Sequence, residues 1–300
     1  MSDPLAQVVG LLQPTASLSK LVVAAGTWAV RRSDEGRPFY CAVLDGSCRL
    51  AIAGQEAVVL EAGDVALVPA AYDFTIASLA PPPSGVEPER VETSPGEFRI
   101  GNRDDPPDVR MLVGHFAFGS GDASLLVSLL PQLVHVRGEG RLTTLVELVN
   151  GEARGDRPGR DTVLARLLEV LMIEALRSTS GPAAPPGLLR GLADDRLAAS
   201  LRRMHECPTR DWTVAELAKE AAMSRSTFFD RFRREVGMAP MEYLLGWRMA
   251  LAKNLLHRGR IGVAEAARRV GYASPSTFSV AFTRHVGMPP TSYARDLRTG

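Results

Sequence analysis

A chain of 300 residues, 45% of them hydrophobic, is long enough for about two domains with cores of their own and is no disordered or fibrous polymer. Three cysteines do not support a disulfide framework; with no basic leader and no apolar run longer than Val8 to Leu12 near the start, a cytoplasmic location is expected and a membrane span is not. The net charge of +1 conceals two opposite halves, since residues 194–300 hold 18 Lys+Arg against 11 Asp+Glu and residues 1–193 hold the remaining 17 against 23, an asymmetry that points the C-terminal half toward nucleic acid.

From Lys20 to about Phe118 the apolar period is that of strands. Leu21 to Val30, Phe39 to Leu44, Cys48 to Ala53, Ala57 to Leu60, Val65 to Pro69 and Arg110 to Phe118 are short β-rich segments parted by Asp45-Gly46, Ala53-Gly54 and Gly63-Asp64. This spacing predicts a small antiparallel barrel or sandwich. Read as a two-residue hairpin, Asp45-Gly46 pairs Val43 with Cys48 and Leu50 with Cys41 and sets the two sulfurs diagonally on one face, too far apart for an unstrained bridge. Buried, inert cysteines are the ordinary reading of Cys41 and Cys48, and a redox switch is the alternative. Cys207 carries no special signal.

The proline- and charge-rich stretch from Ala80 to Asp108 reads as a long mobile loop across the barrel. Helical period then returns. Leu125, Leu126, Leu129, Leu130 and Leu133 form one apolar stripe, Leu142 to Val149 a second, and Val163, Leu164, Leu167, Leu168, Leu171 and Met172 a third. Ser178 to Gly187, rich in Ser, Pro and Gly, extends neither neighbour. The domains are therefore expected at 1–178 and 188–300, with 179–187 as linker. The second domain opens with a helix over Asp195 to Glu206, acidic at its start and basic toward its end, as the helix dipole prefers.

Within that domain one pattern occurs twice, at Val214 to Tyr243 and at Val263 to Tyr293, keeping Ser226/Ser276, Thr227/Thr277, Phe228/Phe278, Phe232/Phe282, Gly237/Gly287, Pro240/Pro290 and Tyr243/Tyr293 in register. Each copy reads as helix, tight turn, helix, with Ser224 or Ser274 as N-cap and Gly237 or Gly287 as left-handed C-cap. With the phenylalanines inward, Ser226, Phe229, Asp230 and Arg233 face out in the first copy, and Ser276, Ser279, Val280 and Thr283 in the second. Arginines flank both stripes. A helix of this kind can enter a major groove about 12 Å wide, with short groups meeting base edges and arginines meeting phosphates. A pair of packed helical hairpins with a solvated face is the plainer alternative. Between the copies, Met241 to His257 is long enough to be a rigid spacer.

On these residues, WTVAELAKEAAMSRSTFFDRF, YLLGWRMALAKNLL and VAEAARRVGYASPSTFSVAFTRHVGMPPTSY, the last third of the chain resembles the AraC/XylS transcription regulators. The run YCAVLDGSCRLAIAGQEAVVLEAGDVALVPA resembles the cupin-type sensory half often found ahead of that domain. The resemblance implies a two-domain α+β chain: an N-terminal cupin-like β-barrel with trailing helices and a C-terminal all-α domain with two helix-turn-helix motifs. It implies base reading by Ser226, Phe229, Asp230, Ser276, Ser279 and Val280, and double-stranded promoter DNA and RNA polymerase as partners; the basic side chains Arg225, Arg233, Arg234, Arg248, Lys253 and Arg284, by their own placement, are the candidate phosphate contacts. Relatives often carry arginine where Val280 stands, so the second unit departs from the pattern; Phe229 is placed either to touch a thymine methyl or to pack on a neighbouring helix.

The resemblance further implies a small-molecule effector, a homodimer joined through some of the leucine-rich helices, and an activator's role. Cupin enzymes hold a metal on histidines, but Tyr40 and Cys41 occupy the segment of the first and His115 is the region's only histidine. No cofactor, no metal and no enzymatic activity are expected.

Overall fold

The computed structural model describes residues 3–32, 38–69, 73–82, 90–102, 104–118, 124–127, 130–155, 157–178, 186–257 and 261–299. In chain order these form α1 (Pro4–Leu12), β1 (Pro14–Ala25), β2 (Ala29–Arg32), β3 (Phe39–Ile52), β4 (Val58–Glu61), β5 (Val65–Val68), β6 (Phe74–Ala77), β7 (Arg90–Ser94), β8 (Glu97–Gly101), β9 (Val109–Phe118), α2 (Ser124–Val127), β10 (Val134–Val136), α3 (Gly140–Arg154) and α4 (Arg160–Ser178). The remainder is helical: α5 (Leu188–Ala193), α6 (Asp195–Glu206), α7 (Val214–Glu220), α8 (Arg225–Val236), α9 (Pro240–His257), α10 (Val263–Arg269), α11 (Pro275–Val286) and α12 (Pro290–Thr299).

Residues 14–118 and 132–179 make one compact unit, a curled sheet backed by α3 and α4. Its spine is β3, whose first part pairs antiparallel with β5 and β9 and whose second part pairs with β4 and β6. Phe39, Cys41 and Val43 point into the core, then Cys48, Leu50 and Ile52 do, so the inward set changes from odd to even positions. A bulge causes the change: the register against β9 slips between Val43 and Asp45, and Gly46 turns left-handed with φ +74°. A side chain at Gly46 would strike the Asp108 carbonyl oxygen. The expected hairpin at Asp45-Gly46 is therefore not formed, because an Asp-Gly pair serves a glycine bulge as well as a two-residue turn. Cys41 and Cys48 lie instead on one bent strand.

Two further expectations are corrected in this unit. The stretch from Ala80 to Asp108, read as a mobile loop, contains β7 and β8; they meet at Pro95-Gly96, and β8 runs parallel to β1. The leucine stripe from Leu125 to Leu133 is not one helix either. Among its described residues only Ser124–Val127 is helical, and the chain that follows enters β10, paired with β5. Leu129 lies outside the described residues. On α4, Leu164, Leu168, Leu171, Met172, Ala175 and Leu176 are buried, whereas Val163 and Val170 remain 44% and 41% exposed.

The other unit comprises residues 1–13, 119–131 and 180–300. Of the stretches 1–13 and 119–131, which the strand and linker pattern places with the first domain, the described residues pack with the helices. The reason is the apolar face of α1: Leu5, Val8, Val9 and Leu12 are buried, and the helix packs on α2, α6 and α9. Of the linker, residues 179–185 lie outside the described residues.

Candidate nucleic-acid interface

The two repeats fold alike. Phe228 and Phe232 are fully buried with ring centroids 5.5 Å apart, and Phe278 and Phe282 repeat this at 5.4 Å. Tyr243 and Tyr293, at the end of each repeat on the following helix, meet Phe232 and Phe282 edge-on. Ser224 accepts a hydrogen bond from the Thr227 N–H at 3.2 Å and Ser274 one from the Thr277 N–H at 3.1 Å, fixing where α8 and α11 begin. Gly237 and Gly287, at φ +85° and +89°, end them.

The turns differ in one respect. The residue after the first helix's last turn is left-handed in both copies, but it is Ala222 in the first, with φ +51°, and Gly271 in the second, with φ +86°. At the start of α7, Thr213 and Glu216 form a reciprocal capping box, legible in the sequence as a Thr with a Glu three residues on. The Arg210 guanidinium, followed by the Thr213 N–H and hydroxyl, holds the half-buried Glu216 carboxyl down to about pKa 2.

Burying the phenylalanines turns the opposite face of each helix to solvent. On α8, Ser226, Phe229 and Asp230 are exposed, Phe229 least at 36%. On α11, Ser276 is exposed, Ser279 half-buried, and Val280 is 71% exposed. The predicted base-reading residues therefore line the outer faces of the two helices. Arg225, Arg233 and Arg284 are exposed beside them.

The remaining phosphate assignments are altered by the structure. Arg248 is half-buried and donates from Nε to the Pro208 carbonyl at 2.7 Å and from Nη2 to the Arg210 carbonyl at 2.8 Å, so it fastens the segment ahead of α7. Lys253 is only 4% exposed, with its ammonium 5.6 Å from the Tyr293 ring centroid. Neither side chain is free to meet a phosphate. Arg234 is exposed but its Nε pairs with Glu235 at 2.8 Å, while the other Glu235 oxygen takes Arg190 at 2.6 Å. Arg234 thus takes part in an ion-pair network at the end of α8 rather than standing free for a phosphate. Arg231, not singled out from the sequence, ties α8 to the N-cap Asp194 of α6.

Cys41 and Cys48 are fully buried, and Cys41 Sγ lies 4.0 Å from Met111 Sδ. A hydrogen bond to Cys48, with burial, pushes the Cys41 thiol well above its ordinary pKa. Such a thiol supplies little thiolate. Among the described residues no group of three His, Cys, Asp or Glu is placed to hold a metal, and no helix is long and apolar enough to cross a membrane.

Residues 3–180 match the Cupin family, and residues 217–296 match the Helix-turn-helix domain family. Over 303 aligned residues, 98% of both chains, the sequence is 39% identical to an AraC-like transcription regulator of Streptomyces lividans. The chain belongs to the AraC-like transcription regulators. A second such regulator, from Streptomyces antibioticus, is 37% identical over 98% of both chains. The DNA-binding domain of AdpA, solved with a target DNA, is 34% identical and aligns over 34% of this chain and 92% of that one, with a TM-score of 0.33. This AraC-type protein thus joins a helix-turn-helix DNA-binding domain to a cupin-like domain and acts in transcription regulation.

Proposed function

We propose that this regulator binds promoter DNA as a homodimer, each protomer laying α8 and α11 into successive major-groove segments. The observation that carries this reading is the pair of capped helices, alike in core geometry, that turn Ser226, Phe229 and Asp230 and then Ser276, Ser279 and Val280 outward from the positively charged half of the chain. Between them α9, 18 residues long, spans about 27 Å, comparable with the roughly 34 Å turn of duplex DNA.

In this reading Arg225, Arg233 and Arg284 neutralise phosphates, and Asp230 accepts from a base amino group. A small molecule held in the cupin-like unit shifts the population of dimer arrangements able to span two half-sites, which requires that it bind one arrangement better than the other. The protein acts by binding rather than catalysis, as an activator in contact with RNA polymerase.

Titrating labelled duplexes with the full chain over a range of salt tests the DNA reading. The expected result is a duplex selected from random sequence that binds far more tightly than its scrambled form, with log K falling linearly against log salt. Equal affinity for selected and scrambled duplexes would contradict it.

A further inference from the structure

The two recognition helices offer different chemistry at the same register position, Asp230 on α8 and Val280 on α11. On α11 the hydroxyls around Val280 are engaged within the helix. Ser279 Oγ donates to the Pro275 carbonyl and Thr283 Oγ1 to the Ser279 carbonyl, each at 2.8 Å. Ser276 Oγ lies 2.9 Å from the N-cap Ser274 Oγ. Val280 itself stands 71% exposed on this face. It borders an open groove of about 700 Å³, mostly apolar, that also includes Leu245, Ala281 and the Arg284 side chain.

An aliphatic group this exposed has no role in the helical core, which Phe278 and Phe282 fill from the opposite face. The major-groove edge carries one apolar feature, the thymine C5-methyl; the other major-groove marks that separate one base pair from another are donors and acceptors. A valine cannot satisfy a donor or an acceptor and leaves it desolvated, whereas it gains by covering a methyl. Arg284, four residues on and on the same side of α11, supplies the cation that a backbone phosphate next to that base would meet.

We propose that Val280 makes α11 a reader of thymine by its C5-methyl group, so that the two helices of one protomer read unlike features: a base amino group at Asp230 and a methyl at Val280. The assignment rests on the DNA-binding reading above and adds the base chemistry of the second motif.

Replacing the thymines of the selected duplex with deoxyuridine, one at a time, removes single methyls without altering base pairing. With the full-length protein, deoxyuridine at one position of the α11 half-site is expected to weaken binding about fourfold, the equivalent of one buried carbon. Val280→Ala should weaken binding to the thymine duplex and abolish the difference between thymine and deoxyuridine; Val280→Thr, nearly the same shape, should keep most of that difference. Val280 is 71% exposed, so neither substitution puts folding at stake, and unchanged thermal melting confirms it. Two results overturn the assignment: a selected duplex that loses no affinity at any deoxyuridine, or a deoxyuridine penalty that persists in Val280→Ala. Failure of the DNA-binding reading looks different, since no sequence is then selected, and it removes this assignment with it.

Discussion

Gln7 and His205, 198 positions apart, meet at 2.9 Å between Oε1 and Nδ1, and the other imidazole nitrogen lies 2.7 Å from the Tyr243 hydroxyl. The geometry suits one neutral tautomer, with Nδ1–H donating to Gln7 and Nε2 accepting from Tyr243. The ring is stacked on Trp247, 4.0 Å between centroids, and burial lowers its pKa to about 3. An imidazolium would place two donors where buried Tyr243 must then turn its proton away.

From this follows a pH dependence of known sign. The unfolded histidine titrates near 6.5 and the folded one near 3, so the unfolded chain binds the extra proton between those values. Stability of the helical unit should be full above about pH 6.5 and fall progressively as pH drops toward 3. Urea unfolding at a series of pH values checks it; His205→Gln should flatten that part of the profile. Gln7→Ala should cost about 1–3 kcal/mol, since it strips a buried N–H of its acceptor.

The paired turns predict opposite effects for exchanged residues. Ala222→Gly relieves a left-handed alanine and should stabilise the domain by about 1 kcal/mol. Gly271→Ala should destabilise it more strongly, because its Cβ would come within 2.7 Å of the Thr209 backbone. Thermal melting of both variants distinguishes a conserved turn geometry from two unrelated loops.

Arginines that face solvent and arginines that tie the fold should separate cleanly. Arg284→Ala is expected to weaken binding to every duplex and lower the salt slope by about one, with melting unchanged. Arg248→Ala should leave the slope alone and cost about 2 kcal/mol of stability, since the Pro208 and Arg210 carbonyls lose their donor. A reduced slope for Arg248→Ala would return it to the DNA contacts.

Val163 and Val170 stand seven residues apart on α4, on one exposed face, and Leu148 of α3 is 52% exposed. If that face joins two protomers, replacing both valines with Glu should convert the dimer to a monomer in sedimentation equilibrium while leaving the circular dichroism spectrum intact. A dimer that survives the double change places the interface elsewhere.

What the sequence disclosed and what it hid divide by range. The caps at Ser224, Ser274, Gly237 and Gly287 and the inward phenylalanines are set within four residues of themselves, so spacing alone located them. The local preference of Asp45-Gly46 fits a bulge and a turn equally, and what separates them, the Asp108 carbonyl packed against Gly46, is distant in sequence. Arg248 and Lys253 look like surface cations on a helix; their partners are Pro208 and Arg210 in one case and Tyr293 in the other, distances no helical wheel contains. The place of α1 beside α6 and α9 has no local signature at all.

The central claim, that both helices read sequence, is met most directly by selecting random duplex DNA with the full-length chain and with its Asp230→Ala and Val280→Ala variants. The account predicts a motif with two separated blocks, from which each variant relaxes preference at one position in a different block. Loss of the same position by both variants, or a motif that neither changes, would contradict it.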